Sequence, residues 1–455
     1  MKRDAINLGS DRIPSLFAKI FLPTLVGMVC ASIMTTIDGV FVGHGVGSDA
    51  LAAVNIFAPF WLLMNGIGLL FGIGCSVVAS IHISQGNVKA ACINVTQTII
   101  YGVLFTSLIC LAISVFSVQT ARLLGASDRL LPYVLDYQGW LAYALPAIFL
   151  ESVGLLVIRL DGSPQYAMYT SAIPAVVNVV LDYVFLFVLH RGLEGVAIAT
   201  LIGCWTGGAM VLVYMFFFPK TIKFYRLKMS FKSFRLSLRN LGYQFRLGVS
   251  AFLGEASIAV LMFVGNYVFM DYLGEDGVAA FSIACYVLPF IFMTGNAISQ
   301  SAQPIISYNH GAGDNARVQD ARRISIVTAL FLGLLLSLAM FFGAKYVAAL
   351  FLDTSANAYR LAADGIPLMS LGFTFFVLNI AVIGYFQSVE KARPATIYAL
   401  ARGFVFLVPC FFLVPKLLGV PGIWLAFAVS EMLTSLLILL TRTALRVKAR
   451  RITAA

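Results

Sequence analysis

Gly47 to Val54 reads GSDALAAV, and Gly274 to Phe281 reads GEDGVAAF, 227 residues later. Each octet follows one long apolar run and opens another, and that second run ends in a glycine turn at matching spacing, Gly86 in one half and Gly313 in the other. A further correspondence pairs Gly195 with Gly422, each in the connection between the fifth and sixth runs of its half. Self-similarity at one offset across a whole chain marks a duplicated architecture.

Composition says what the runs are. Of 455 residues, 60% are hydrophobic and only 11% are Asp, Glu, Lys or Arg, and the mean hydropathy is +0.93. A soluble fold carries about 25% charged residues to build its water-facing shell, so most of this surface faces lipid. A bilayer core of about 30 Å asks for roughly 20 apolar residues per helix. Twelve such runs occur, over about 14–42, 51–81, 92–118, 131–158, 165–189, 195–217, 243–271, 277–307, 322–343, 359–386, 394–415 and 421–441. The first is too long for a signal-peptide core and carries Asp38, so it is expected to remain as a span. The predicted fold class is an all-α membrane protein, with twelve transmembrane helices in two parallel-repeat lobes around a central cleft. Six is even, so both halves run the same way through the bilayer, about an axis along its normal. The predicted organisation is a lobe over 1–218, a basic linker over 219–240, and a second lobe over 241–455 that ends in a basic tail.

The net charge of +11 follows this topology. With twelve spans both termini and all even-numbered loops share one side, and that side holds 23 of the 31 Lys and Arg. Seven of them sit in the linker, from Lys220 to Arg239, and others are Lys2, Arg3, Arg442, Arg446, Lys448, Arg450 and Arg451. Arg246 and Arg402 are assigned to the spans, and the other basic residues to loops or to span ends. The positive-inside rule makes the basic side cytoplasmic, and the excess is a topology signal and a contact with anionic headgroups rather than a nucleic-acid surface. Seven cysteines fall singly and four histidines, including His44, never pair at ligand spacing, so neither disulfides nor a transition metal are expected.

An ionisable group inside a span costs roughly 2.5 to 3.5 kcal/mol on insertion scales, so each asks for a reason. Five acids qualify: Asp38, Glu151, Asp182, Glu255 and Glu431. Counting from the outer ends of their spans at about 1.5 Å per residue, Asp38 lies about 7 Å deep, Asp182 about 12 Å and Thr200 about 7 Å. Asn178 stands one turn before Asp182 on the same face. These four can converge in the first lobe as a set of hard oxygens, suited to an alkali cation or a proton and unsuited to a transition metal. Pro174, one turn earlier, frees the carbonyl of Thr170 and marks where this span can bend. The second lobe does not repeat the set: Asp38 corresponds to Gly265, beside Asn266, and Asp182 to Pro409. Glu255, near mid-membrane, and Asn266 are candidates for a substrate cavity; Glu151 and Glu431 have no role that sequence alone decides.

Several stretches together resemble the multidrug and toxic compound extrusion (MATE) family, in the branch that includes MepA-like and DNA-damage-inducible-protein-like members. They are IDGVFVGHGVGSDALAAVN from Ile37, RLDGSPQYAM from Arg159, PAVVNVVLDYVFLF from Pro174, GLEGVAIAT ending at Thr200, and QPIISYNHGAGD from Gln303. The resemblance covers essentially the whole chain. It implies export of organic, often cationic compounds against inward flow of sodium ions or protons, with no cofactor and with the working unit a monomer. It also implies that Asp38, Asn178, Asp182 and Thr200 bind the coupling cation.

Two rival readings use other residues. A lipid-linked oligosaccharide flippase shares the doubled topology but needs several basic residues in its cavity for a pyrophosphate. An intramembrane acyltransferase could be argued from adjacent Asn309 and His310, but the chain has no HExxH, GxSxG, GxGxxG or Walker loop. No enzymatic activity is expected.

Overall fold

The computed structural model describes residues 6–228 and 230–453, with side chains left aside at 43, 44, 48, 51 and 445–453. Lys2 and Arg3 therefore lie outside the described residues, as do the side chains of His44, Arg446, Lys448, Arg450 and Arg451. Among the described residues every regular element is helical. Ten helices among the described residues are long and apolar enough to cross a membrane, and the bent pair Asn357–Ser370 and Phe373–Ser388 makes an eleventh crossing. The twelfth comes from the longest helix, Phe231–Gly311, whose 81 residues hold Gly274 at φ 64° and ψ −155°. At about 1.5 Å per residue it would measure about 120 Å, four times a bilayer core. The break at Gly274 divides it into the seventh and eighth spans. The protein is a multi-pass membrane protein, and the quoted octets are the paired turns that reverse the chain: Gly47 and Gly274 both have positive φ, as do Gly86 and Gly313.

The tenth span differs from the single run expected over 359–386. It bends by 44° between Ser370 and Phe373. The Ser370 hydroxyl donates to the Pro367 carbonyl at 2.7 Å, within a helix that Pro367 already deprives of a donor. Just past the bend, Gly372 presses on Ala428, where a Cβ would sit 2.7 Å from its Cα.

Contacts divide the chain into two compact units. One comprises Met1–Glu255, Gln300–Arg322 and Gln387–Ala392; the other comprises Ala256–Ser299, Arg323–Phe386 and Arg393–Ala455.

The first unit is closed on its linker side by buried amides and hydroxyls. Ser76 donates to Gln303 Oε1 at 2.9 Å, and these residues are 227 apart, the repeat offset itself. Residues related by a two-fold axis touch only on that axis, so this bond marks where the two copies of the fold meet. Thr98 donates to Gln244 Oε1 at 2.7 Å, Gln387 to Ser250 at 2.8 Å, and Arg159 to Gln300 Oε1 at 2.7 Å. Backbone meets backbone beside them: a Cβ on Gly74 would strike the carbonyl of Gln244, and one on Gly248 that of Leu70. Small residues permit such contact between spans, where dispersion forces and hydrogen bonds replace the missing hydrophobic drive. Asp161 holds the linker by accepting from the backbone N–H groups of Lys220, Thr221 and Ile222 and from the Tyr214 hydroxyl.

The second unit is tied around a buried ion pair. Arg402 Nε lies 3.3 Å from Glu431 Oε1, with both side chains almost wholly buried. Asn379 Nδ2 donates to Glu431 Oε2 at 2.8 Å, Arg402 donates to Ser257 Oγ at 3.0 Å, and the guanidinium stands 4.6 Å over the Phe376 ring. Ser435 closes the network on Asn379 Oδ1 at 2.8 Å. The seventh, tenth, eleventh and twelfth spans each contribute a member. Glu431, undecided from sequence, is thus the counter-charge of Arg402. Removing one member of a buried pair strands the other charge at a cost of about 3–5 kcal/mol, whereas replacing both by apolar groups is often neutral. Glu431→Gln should therefore lower the unfolding temperature in detergent clearly more than the double variant Arg402→Met, Glu431→Met. Equal unfolding of Glu431→Gln and the parent would contradict this role.

Candidate functional site

The first, fifth and sixth spans bring the four oxygen-bearing residues together inside the first unit. Asp182 is fully buried, Asn178 and Thr200 nearly so, and Asp38 is half-buried, which leaves the site open on the side of the first span. The Asp38 and Asp182 carboxyl groups are in hydrogen-bond contact. Asn178 has two settings. In one its Nδ2 donates to Thr200 Oγ1 at 3.3 Å. With the amide turned over, Nδ2 donates to Asp38 Oδ1 at 2.9 Å and Oδ1 accepts from the Thr200 backbone N–H at 3.3 Å. The second setting satisfies both ends of the amide. Thr200 Oγ1 donates back to Val196 O at 3.0 Å, leaving oxygen lone pairs toward the group.

One atom is left over. Asp182 Oδ1 is buried and has no hydrogen-bond partner. A buried polar atom without a partner costs about 1–3 kcal/mol, and two carboxyl groups attract each other only when a proton or cation lies between them. Chemistry and geometry therefore fit a small hard cation or a proton.

Local sequence explains the placement. Pro174 lies inside the Pro164–Tyr183 helix, one turn before Asn178, and Asp182 stands two residues before a widened π turn at Val184–Val188. Such turns recur at functional sites, and no residue pattern announced this one. Gly203, three residues past Thr200, lets the sixth span close on the fifth: a Cβ there would stand 3.0 Å from Asn178 Cβ and 3.3 Å from the Pro174 carbonyl. Tyr137 of the fourth span, missed from sequence, lies within electrostatic reach of both carboxylates and meets Phe57 edge-on at 6.0 Å. Its signal was weak, as one aromatic residue among many in apolar runs.

The other singled-out residues fall elsewhere. Glu151 packs on the sixth span at Gly207, where a Cβ would come 2.6 Å from its Oε2. Glu255 is buried beside Gly66 in the first unit, whereas Asn266 is exposed in the second. Asn309 is committed to structure, donating to Leu8 O and Ile305 O and accepting from Arg317 Nε.

A doubled all-helical membrane protein with polar and acidic groups buried between its spans has the plan of a membrane transporter. The MatE family model matches residues 23–184 and again 251–412, once in each half, and the chain belongs to that family; it is a transporter and not an enzyme. Among curated proteins it is similar to the multidrug export protein MepA of Staphylococcus aureus strain MRSA252, 23% identical with 91% of this chain and 90% of that one covered. MepA of Staphylococcus haemolyticus strain JCSC1435 is 24% identical over 90% and 89%. Among solved structures, that of a MATE protein in complex with MaD3S has a TM-score of 0.87 at 20% identity, covering 97% of each chain, which shows a common fold.

The close approach at Gly203 can be tested. Overpacking costs about 1–3 kcal/mol, so Gly203→Ala should push Thr200 from Asn178 and slow transport several-fold in whole-cell efflux. Gly139→Ala, with nothing within 4 Å of the added methyl, should be silent. Equal efflux from the two variants would contradict a packed site.

Proposed function

We propose that the protein is a multidrug exporter of the cytoplasmic membrane, with both termini in the cytoplasm, moving organic and often cationic compounds outward in exchange for a sodium ion or proton bound by Asp38, Asn178, Asp182 and Thr200. The observation that carries this reading is the contact of the Asp38 and Asp182 carboxyl groups beside the unpartnered Asp182 Oδ1. The relatives named above as multidrug export proteins support the substrate class, and the basic excess on the linker side supports the orientation.

The exchange follows from charge. A shared proton accounts for the carboxyl contact directly; a sodium ion would part the two groups and take their oxygens together with those of Asn178 and Thr200. In either case a filled site is compact and nearly neutral, whereas an emptied one leaves two anions that repel and draw water. That difference is what the Pro174 bend and the π turn after Asp182 can convert into movement of the fifth span against the first. Lobes 1–218 and 241–455 then alternate about the central cleft, which a single chain supplies. The cation must favour one state over the other, since equal affinity for both would drive nothing. Glu255 and Asn266 remain the proposed contacts for substrate.

The flippase reading loses support because Arg402, which lies near the middle of the eleventh span, is committed to Glu431.

Ethidium efflux from energised cells should fall to the background of cells lacking the protein in Asp182→Asn and Asp38→Asn, with membrane levels unchanged. Thr200→Ala should retain partial efflux. Parental rates from either carboxamide variant would exclude this site as the coupling centre.

A further inference from the structure

A cavity with apolar walls, which include Val78 and Ile81, and a set of polar side chains lies in the first unit, on the linker side and apart from the acidic cluster. It encloses about 310 Å³ and is bordered by His82, Asn94, Arg239, Asn240, Tyr243 and Glu390. Most of its hydrogen-bonding capacity is already spent. Asn94 donates to Ala90 O and accepts from Gln244, Asn240 donates to Gln97 Oε1, and the Tyr243 hydroxyl donates to Glu390 Oε1 at 2.6 Å. Two opposite charges and the buried, unpartnered Nδ1 of His82 remain. Arg239 has no hydrogen bond or ion pair among the described residues, and although it shares the cavity with Glu390 the two do not pair with each other.

Glu390 occupies its place at a cost. It stands at φ 57°, in the left-handed region, in the short connection between the tenth and eleventh spans. The matching connection of the first half, between the fourth and fifth spans, has Gly162 at φ 78°. Where one copy of the fold uses glycine, the other holds a carboxylate in a conformation that L side chains disfavour. Tyr243 then fixes that carboxylate toward the cavity.

The helix that carries Arg239 is unusual on its outer surface. Phe231, Phe234, Leu238 and Phe245 are all exposed, at spacings of three, four and seven residues that keep them on one face, and Lys232 and Arg235 are exposed among them. Exposed aromatics with interleaved basic residues at the end of a span match the headgroup layer of a bilayer.

We propose that this cavity binds the headgroup of a phosphoethanolamine lipid, its phosphate on Arg239 and its primary ammonium on Glu390, with the acyl chains lying along Phe234 and Leu238. A zwitterion of this kind fits two unpaired opposite charges in one cavity. An anionic headgroup would meet Glu390 with repulsion, and a choline headgroup has no N–H to give the carboxylate.

The test is lipid binding to the delipidated full-length protein, read by native mass spectrometry with phosphatidylethanolamine, phosphatidylcholine and phosphatidylglycerol of identical chains. Phosphatidylethanolamine should bind about tenfold more tightly than either of the others, the size expected of one charge-assisted hydrogen bond. Glu390→Gln should abolish that preference while leaving phosphatidylcholine binding unchanged, and the exposed substitution Arg239→Gln should weaken all three lipids alike. Water-soluble phosphoethanolamine should bind far more weakly than the lipid. Phosphatidylglycerol binding as tightly as phosphatidylethanolamine, a preference that survives Glu390→Gln, or equal affinity for the soluble headgroup would each overturn the proposal.

Discussion

The contact between Asp38 and Asp182 is the interaction on which the first unit's arrangement depends. Two carboxyl groups at membrane depth are tolerated only if something positive or a shared proton joins them. That need explains features that otherwise look unrelated: the Asn178 amide turned onto Asp38, the Thr200 hydroxyl and backbone N–H at its other end, and the glycine at 203 that brings the sixth span close. It also explains why the first span is half-open around residues 31–40 while the fifth buries Asp182 completely.

The two copies of the fold solve the cost of a buried acid differently. In the first, Asp38 and Asp182 stand in contact and Asp182 Oδ1 is left without a partner. In the second, Glu431 has a permanent partner, because Arg402 supplies a tethered cation, Asn379 donates to the other carboxylate oxygen, and Ser435 in turn donates to Asn379 Oδ1. A carboxylate neutralised by its own chain responds little to an ion gradient. The duplicated helices therefore share topology, and even touch at residues related by the repeat, Ser76 and Gln303, while the two copies differ in what stands against their buried acids.

Much of this was legible in the sequence, for physical reasons. Span count followed from apolar length, the repeat from matched glycines whose positive φ no other residue adopts cheaply, and the meeting of Asp38, Asn178, Asp182 and Thr200 from depth arithmetic along helices of fixed rise. What escaped was set by contacts between distant residues. The pairing of Arg402 with Glu431 has no local signature, since 29 residues and a connection separate them. The π turns at Val184–Val188 and Ala401–Val405 arise within ordinary apolar stretches. The bend falls between Pro367, which removes a helical donor, and Gly372, which packs on Ala428, and Tyr137 comes within electrostatic reach of the two carboxyl groups from the fourth span.

If the acidic cluster is the coupling site, substrate and cation must weaken each other's binding by the same factor. The most direct measurement is cation release when substrate is added to the purified protein in detergent, followed for protons with an indicator dye in weak buffer and for sodium with labelled ion. The parent protein should release one of the two on substrate addition, and Asp182→Asn should bind substrate without releasing either. Release from Asp182→Asn equal to that of the parent would contradict the account.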